Sequence, residues 1–168
     1  ELRKRKIKIK EIRSREIGFA LRDKKNIDKK LKLRILTYTA SKGKEYFLSI
    51  INKQNILFAL LRLRIPEKNF CKNSGNFLPE LENAALVREL HVYGPAVEIG
   101  KKEKKEQETW QHKGLGKMLI KKAEEIAKKE GKNKIAVISG VGVREYYRKL
   151  GYVLEGAYMV KNMVKKIF

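Results

Sequence analysis

The stretch Gln111–Lys129, QHKGLGKMLIKKAEEIAKK, sets two glycines just ahead of an amphipathic run. Leu115, Met118, Leu119, Ala123, Ile126 and Ala127 recur at helical spacing and share one predicted face. A helix begins with backbone N–H groups that lack intrahelical partners and with partial positive charge, so its N-terminus attracts an anion. Gly114 and Gly116 have no Cβ to hold such a group away and can take positive φ, while Lys113 and Lys117 add charge beside the same turn. The expected ligand is a phosphate or pyrophosphate. Two common phosphate loops are excluded: no GKS or GKT follows, and Leu119 stands where a G-x-G-x-x-G fingerprint needs its third glycine.

On the C-terminal side, Gly131 supplies a helix stop and KIAVIS (Lys134–Ser139) reads as a short buried strand. VREYYRKL (Val143–Leu150) has the one-sided pattern of a short helix, and YVLEG with YMVKNM suggests a closing hairpin. On the N-terminal side, KKEKKEQE (Lys101–Glu108) is a solvated charge run with no assigned chemistry, and AALVRELHVYG (Ala84–Gly94) reads as a strand. Simple alternation puts Leu86, Arg88, Leu90 and Val92 on one of its faces and Val87, Glu89, His91 and Tyr93 on the other. PEKNFCKNSGNFLPELEN reads as a loop. YFLSII (Tyr46–Ile51) and ILFALLRLRI (Ile56–Ile65) form two strands paired through NKQN, and Leu31, Leu33 and Ile35 alternate with Lys32 and Arg34 ahead of them. This order predicts an α+β domain over residues 31–168, with a mixed central sheet flanked by helices and no internal repeat. Residues 1–30 hold 13 basic and five acidic side chains, a net of +8, and read as a basic arm or linker. Its apolar positions Ile7, Ile9, Ile12, Ile17, Phe19 and Leu21 could dock it on a neighbour.

The whole chain carries 41 basic and 19 acidic residues, a net of +22, which implies attraction to a polyanion, nucleic acid first. Cys71 is the single cysteine, so an internal disulfide and any metal cluster built from several cysteines are excluded from this chain. No apolar run reaches membrane length and ELRKRKIKIK lacks a signal-peptide core, so a cytoplasmic location and no membrane partner are expected.

A strand VRELHVY, a loop, Q-x-x-G-x-G opening a long helix, a buried strand and a tyrosine-rich turn together resemble the GNAT acetyltransferase core, whose motif is [RQ]-x-x-G-x-[GA]. The phrases LLRLRIPE, ALVRELHVYG, WQHKGLGKMLIKKAEEIA and IAVISGVGVREYYRKLGYVLEGAYMVKNM narrow the similarity. They resemble the C-terminal acetyltransferase domain of the Elongator catalytic-subunit family, over roughly Ile12–Met163 and densely from Leu86 onward. An archaeal source fits that resemblance.

The resemblance implies an acyltransferase of the tRNA carboxymethyluridine synthase type. It implies acetyl-CoA as substrate, with its pyrophosphate on the loop Gln111, His112, Lys113, Gly114, Leu115, Gly116 and Lys117. A strand N–H near Leu90 to Val92 would polarise the thioester carbonyl. It further implies tRNA as partner, carboxymethylation of wobble uridine 34, hydrolysis or relay of the acetyl group, and possible contact with other Elongator subunits. A radical-SAM domain precedes the acetyltransferase domain in that family; S-adenosylmethionine and the iron–sulfur cluster would belong to it and not to this chain. Where the family often shows C-x-C-x-x-C-R-E-x-G, this chain has IKEIRSREIG, with Ile9, Glu11 and Ser14 at the cysteine positions. Zinc is therefore not expected there and no other metal site is assigned, although Arg15, Glu16 and Gly18 of the motif remain.

Cleaving a thioester requires a polarised carbonyl and a proton for the leaving sulfur. Tyr146 and Tyr147 follow the loop SGVGV and can supply that proton; they share a helical face with Val143 and Leu150, so one core tyrosine and one active-site tyrosine are expected. Glu89 and His91, on one strand face, are candidates for a base. His112 would serve the loop or the CoA, and Cys71 has no basic neighbour to activate it. For RNA, Arg3, Lys4, Arg5, Lys6, Lys8, Lys10, Arg13 and Arg15 of the arm come first and the exposed lysines of the opening helix second. Two alternatives stay open: a GNAT enzyme acetylating protein lysines, against which the basic excess argues, and a tRNA-binding module with an inactive acetyl-CoA site, against which the intact Q-x-x-G-x-G argues.

Overall fold

The computed structural model describes residues 11–23, 26–67, 78–94 and 114–163. A seven-stranded mixed sheet runs through them, built from β1 (Lys32–Ala40), β2 (Gly43–Ile51), β3 (Leu57–Ile65), β4 (Ala84–Val92), β5 (Lys134–Ile138), β6 (Val153–Glu155) and β7 (Tyr158–Asn162). Its order is β1-β2-β3-β4-β5-β7-β6. Every neighbouring pair is antiparallel except β4 and β5, which run parallel because a helix separates them in sequence. Helices α1 (Ile17–Arg22), α2 (Leu115–Lys129) and α3 (Arg144–Arg148) accompany the sheet. The architecture is the α+β class expected, and no helix among the described residues is long and apolar enough to cross a membrane.

Local chemistry explains the turns. Ser41 and Lys42 both take positive φ, 44° and 58°, so the two-residue loop closing β1 on β2 has the hand that a twisted hairpin needs. Between β2 and β3, Asn55 takes φ 60° while the Asn52 side chain accepts from Ile56 N–H at 3.0 Å. At the end of α2, Gly131 at φ 73° lets Lys132 N–H reach back to Ala127 O at 3.0 Å, a glycine stop.

The main core lies between α2 and one face of the sheet, where Leu119, Ala123, Ile126 and Ala127 meet Leu61, Leu63, Val87, Ile135 and Val137. The buried stripe of α2 differs from the predicted one at Met118, which is 47% exposed, while Gly116 and Ile120 are buried in its place. The stripe is centred on Ala123, and Met118 falls on its flank. Strand β1 is also wetter than its pattern suggested: Leu33, Ile35, Leu36 and Tyr38 are all exposed, because it is the last strand at that side of the sheet.

Part of the basic arm docks through its apolar positions. Within residues 11–23, Ile12, Ile17 and Ala20 pack against the sheet and its core. Ile17 is 0% and Ala20 4% exposed in the α2-side core, Ile12 packs with Ile51, Leu57 and Leu60 on the other face, and Glu16 bridges to Leu57. Its sparse apolar residues find the end of the sheet near β3.

Candidate active site

The site begins with one irregularity in β4. Against β3, Arg62 pairs with Glu89 and the next residue, Leu63, pairs with Val87, so Arg88 is an extra residue in the ladder. This bulge reverses the alternation expected from the sequence. Ala85 and Val87 face α2, and beyond Arg88 so do Leu90 and Val92; Leu86 sits on the opposite face with Ala84 and Ala136. The one-face grouping of Leu86, Arg88, Leu90 and Val92 is corrected accordingly. An extra residue cannot be foreseen from a period of two, because it is defined by the partner strand.

The bulge also ends the pairing between β4 and β5. Their parallel ladder runs from Ala84 opposite Lys134 to Val87 opposite Val137 and stops there. Tyr93 N–H donates to Phe58 O of β3 at 2.8 Å. Alternation then turns the amides of His91 and Glu89 toward β3, and those of Leu90 and Val92 toward the edge that β5 has left. Among the described residues that edge has no ladder partner.

The N-terminus of α2 faces the gap. Gly114, its N-cap, has φ 70° and ψ 16° and offers no side-chain cap, so the amides of the first turn remain available. Leu115 is buried in the core and Lys117 is exposed at the mouth. Gly116 is needed for closeness: a Cβ there would come within 2.8 Å of the Tyr146 hydroxyl and 3.5 Å of Val92 Cγ2. Leu90, Val92, Gly114, Gly116 and Lys117, with Val143, Tyr146 and Tyr147 from the other wall, line a cleft of about 240 Å³.

The two tyrosines divide into one buried ring and one partly exposed ring. Tyr147 is 5% exposed and meets both Tyr146 and Tyr152 edge-on, at 5.2 and 5.8 Å between ring centres. Tyr146 is 38% exposed and carries its hydroxyl to Gly116. Burial raises the pKa of both, that of Tyr147 to about 12 with the charge of Tyr146 adding to the rise. Both phenols are therefore protonated at neutral pH and can donate.

Glu89 and His91 are not brought to this cleft. They point to the opposite face, where Glu89 Oε1 accepts from Arg13 Nη2 at 3.0 Å and lies 3.3 Å from His91 Nε2, with Arg62 Nη1 3.8 Å from Oε2. His91 stacks on Tyr93 at 5.9 Å. Arg13, whose pKa the bond to Glu89 raises, is thus engaged within the domain, and Arg15 donates to Asn55 O at 3.3 Å and to its Oδ1. Gln111, His112, Lys113, Cys71 and the arm residues Arg3, Lys4, Arg5, Lys6, Lys8 and Lys10 lie outside the described residues. Val143 is the wall residue that sequence reasoning had assigned only to packing; its place in SGVGV, directly before the tyrosines, was the available signal.

With this geometry in hand, comparison with known proteins is specific. A family profile described as an acetyltransferase (GNAT) domain matches residues 107–167. The chain is 48% identical over 166 residues to a tRNA uridine(34) acetyltransferase of Methanocaldococcus jannaschii, covering 96% of this chain and 29% of that protein. It is 46% identical over 158 residues to Elongator complex protein 3 of Schizosaccharomyces pombe, covering 92% of this chain and 27% of that protein. The solved structure of the archaeal Methanocaldococcus infernus Elp3 with an N-terminal deletion superposes with a TM-score of 0.78 at 44% identity, over 96% of this chain and 37% of that one. The chain spans between 27% and 37% of the length of each of these relatives. By sequence and by fold, it belongs to the Elongator protein 3 and tRNA uridine(34) acetyltransferase family as its GNAT acetyltransferase domain.

Proposed function

We propose that this domain binds acetyl-CoA in the cleft between β4, β5 and the start of α2, and cleaves its thioester in the service of tRNA uridine 34 modification. The observation that carries the reading is the approach of Tyr146 to Gly116 across a gap in the sheet. The free amides at Gly114–Lys117 and the Lys117 ammonium suit a pyrophosphate. The amides of Leu90 and Val92 face the vacated edge and suit a carbonyl whose oxygen gains charge. In hydrolysis a water oxygen bonds to the acetyl carbon as the carbon–sulfur bond breaks. Tyr146 gives its proton to the sulfur and is reprotonated from solvent, and the two protons of the attacking water pass to solvent, so the products are acetate, CoA and one released proton.

The basic excess of +22 and the exposed Lys117, Lys121, Lys128 and Lys129 of α2 favour tRNA as the partner, with the arm Arg3–Lys10 as a further phosphate-binding segment. In this reading the domain works beside a radical-SAM domain of a longer protein and with other Elongator subunits in the cytoplasm. S-adenosylmethionine and the iron–sulfur cluster belong to that other domain. Glu89 holds Arg13 on the sheet's far face with His91 beside it, and the base for water is left to solvent or tRNA.

The test is acetyl-CoA hydrolysis by the 168-residue chain with and without tRNA, alongside calorimetry of acetyl-CoA binding to wild type and Gly114→Glu. Hydrolysis stimulated by tRNA, and loss of binding in the variant, support the reading. Unchanged acetyl-CoA affinity in Gly114→Glu overturns the loop assignment, and efficient acetylation of lysine peptides in place of tRNA-stimulated hydrolysis overturns the RNA role.

A further inference from the structure

Helix α3 has five residues, far fewer than the roughly 12 to 15 at which an isolated helix begins to hold itself together. The position of Tyr146 must therefore be imposed by neighbours. Two of its attachments lead to the same helix. The direct one is Gly116 of α2 under the Tyr146 hydroxyl. The indirect one passes through Tyr147 to Tyr152, whose rings meet edge-on at 5.8 Å and 66° and whose backbone N–H donates to Tyr147 O at 3.1 Å.

Tyr152 is 2% exposed, yet its hydroxyl is satisfied: it donates to Glu124 Oε1 of α2 at 2.9 Å. Lys161 of β7 donates to that same oxygen at 3.0 Å and to Leu150 O, just past the end of α3, at 2.9 Å. Its ammonium also stands 5.4 Å from the centre of the Tyr152 ring. Glu124 lies eight residues beyond Gly116, about 12 Å along one continuous helix at 1.5 Å per residue. The anion-binding turn and the tyrosine helix are thus held in register by a single rod.

We propose that Glu124, Tyr152 and Lys161 are positioning residues that hold Tyr146 over the cleft, a role that rests on the acetyl-CoA reading above. They touch none of the reacting atoms and act through Tyr147 and the end of α3. A network that only satisfies a buried phenol would serve stability alone, and the two roles differ in what they move.

The experiment compares Tyr152→Phe, Glu124→Gln, and Lys161→Met against Lys161→Arg, in the 168-residue chain. Tyr152→Phe keeps the ring and removes only the hydroxyl. The expected result is a fall in kcat for acetyl-CoA cleavage of about tenfold or more, with KM for acetyl-CoA within about twofold and partial recovery in Lys161→Arg. The double variant Tyr146→Phe/Tyr152→Phe should be no slower than Tyr146→Phe alone, since the second change acts through the first. Loss of thermal stability with kcat unchanged, or additive losses in the double variant, would overturn the proposal. Fluorine NMR of 3-fluorotyrosine-labelled protein gives a readout apart from turnover, with the Tyr146 signal assigned by its absence in Tyr146→Phe. Movement or broadening of that signal in Glu124→Gln supports positioning, and an unmoved signal overturns it. A wild-type chain that cleaves no acetyl-CoA would instead sink the function proposed above, and the fluorine result would still decide whether the network places Tyr146.

Discussion

The Tyr146 hydroxyl occupies the space that a Cβ on Gly116 would need, 2.8 Å from that point. Gly116 is in the first turn of α2, where alanine is preferred over glycine by at most the roughly 0.5–1 kcal/mol of a helix interior. The obstruction is the tip of a partly exposed side chain, which can move aside. Gly116→Ala should therefore keep or slightly raise the melting temperature while reducing turnover of acetyl-CoA by about tenfold. Thermal melts and kinetics on the same preparation check this, and unchanged turnover would separate Gly116 from the chemistry.

The tyrosine pair predicts a division of effects. Tyr146→Phe removes a donor from an exposed position and should lower kcat by about 10²-fold with little change in stability. Tyr147→Ala empties a buried site and should cost about 3–5 kcal/mol in urea unfolding. A Tyr147→Phe variant slower than Tyr146→Phe would exchange their roles.

Alkaline pH gives a third prediction. The Tyr147 phenol is raised by burial from its usual value of about 10 to about 12, and Tyr46, half-buried and bonded to Glu130, is raised likewise to about 12. Below pH 10 both folded and unfolded chains keep these protons and the full stability is present. As pH rises from 10 toward 12 the unfolded chain ionises first, so stability is lost. Urea midpoints should fall over that window, and Tyr147→Phe should reduce the slope by up to about one proton. A slope indifferent to that substitution would deny Tyr147 its buried proton.

The N-terminal segment gives a fourth. Ile17 is fully buried, so Ile17→Ala should destabilise the domain by about 2–5 kcal/mol. A change under about 0.5 kcal/mol, as is usual for surface positions, would return residues 11–23 to the status of a loose arm.

Amide exchange tests the gap itself. The N–H groups of Glu89, His91 and Tyr93 point into the ladder with β3 and should exchange slowly, whereas those of Leu90 and Val92 should exchange faster and gain protection when acetyl-CoA is added. Equal protection along Glu89–Tyr93 would mean that β4 and β5 stay together.

Much of this was legible in the residues. The hairpin of β2 and β3, the helix α2 with its glycine start and Gly131 stop, the buried β5 and the closing hairpin follow from local periodicity and turn chemistry. The glycine turn at Gly114 and Gly116 was readable for the same reason, whereas which of Tyr146 and Tyr147 is buried depends on the contacts with Tyr152 and Gly116. The faces of β4 were not, because the extra residue exists only relative to β3 and β5. Glu89 and His91 went astray with that register. Ile17 was readable as a docking position, but its burial could not be told from the exposure of Phe19 and Leu21, because six apolar residues among many basic ones form no period. No sequence pattern links Glu124 to Lys161, and only the fold brings both to the Tyr152 phenol.

The extra residue at Arg88 has a consequence for engineering. A chain lacking Arg88 would still turn Leu90 and Val92 toward α2, since the remaining residues alternate without interruption from Val87. Its strand would run straight, and β5 could zip alongside it to the end. Such a variant would hydrogen-bond more completely and close the cleft at Leu90 and Val92: the opening proposed for acetyl-CoA exists because the sheet is kept from finishing itself.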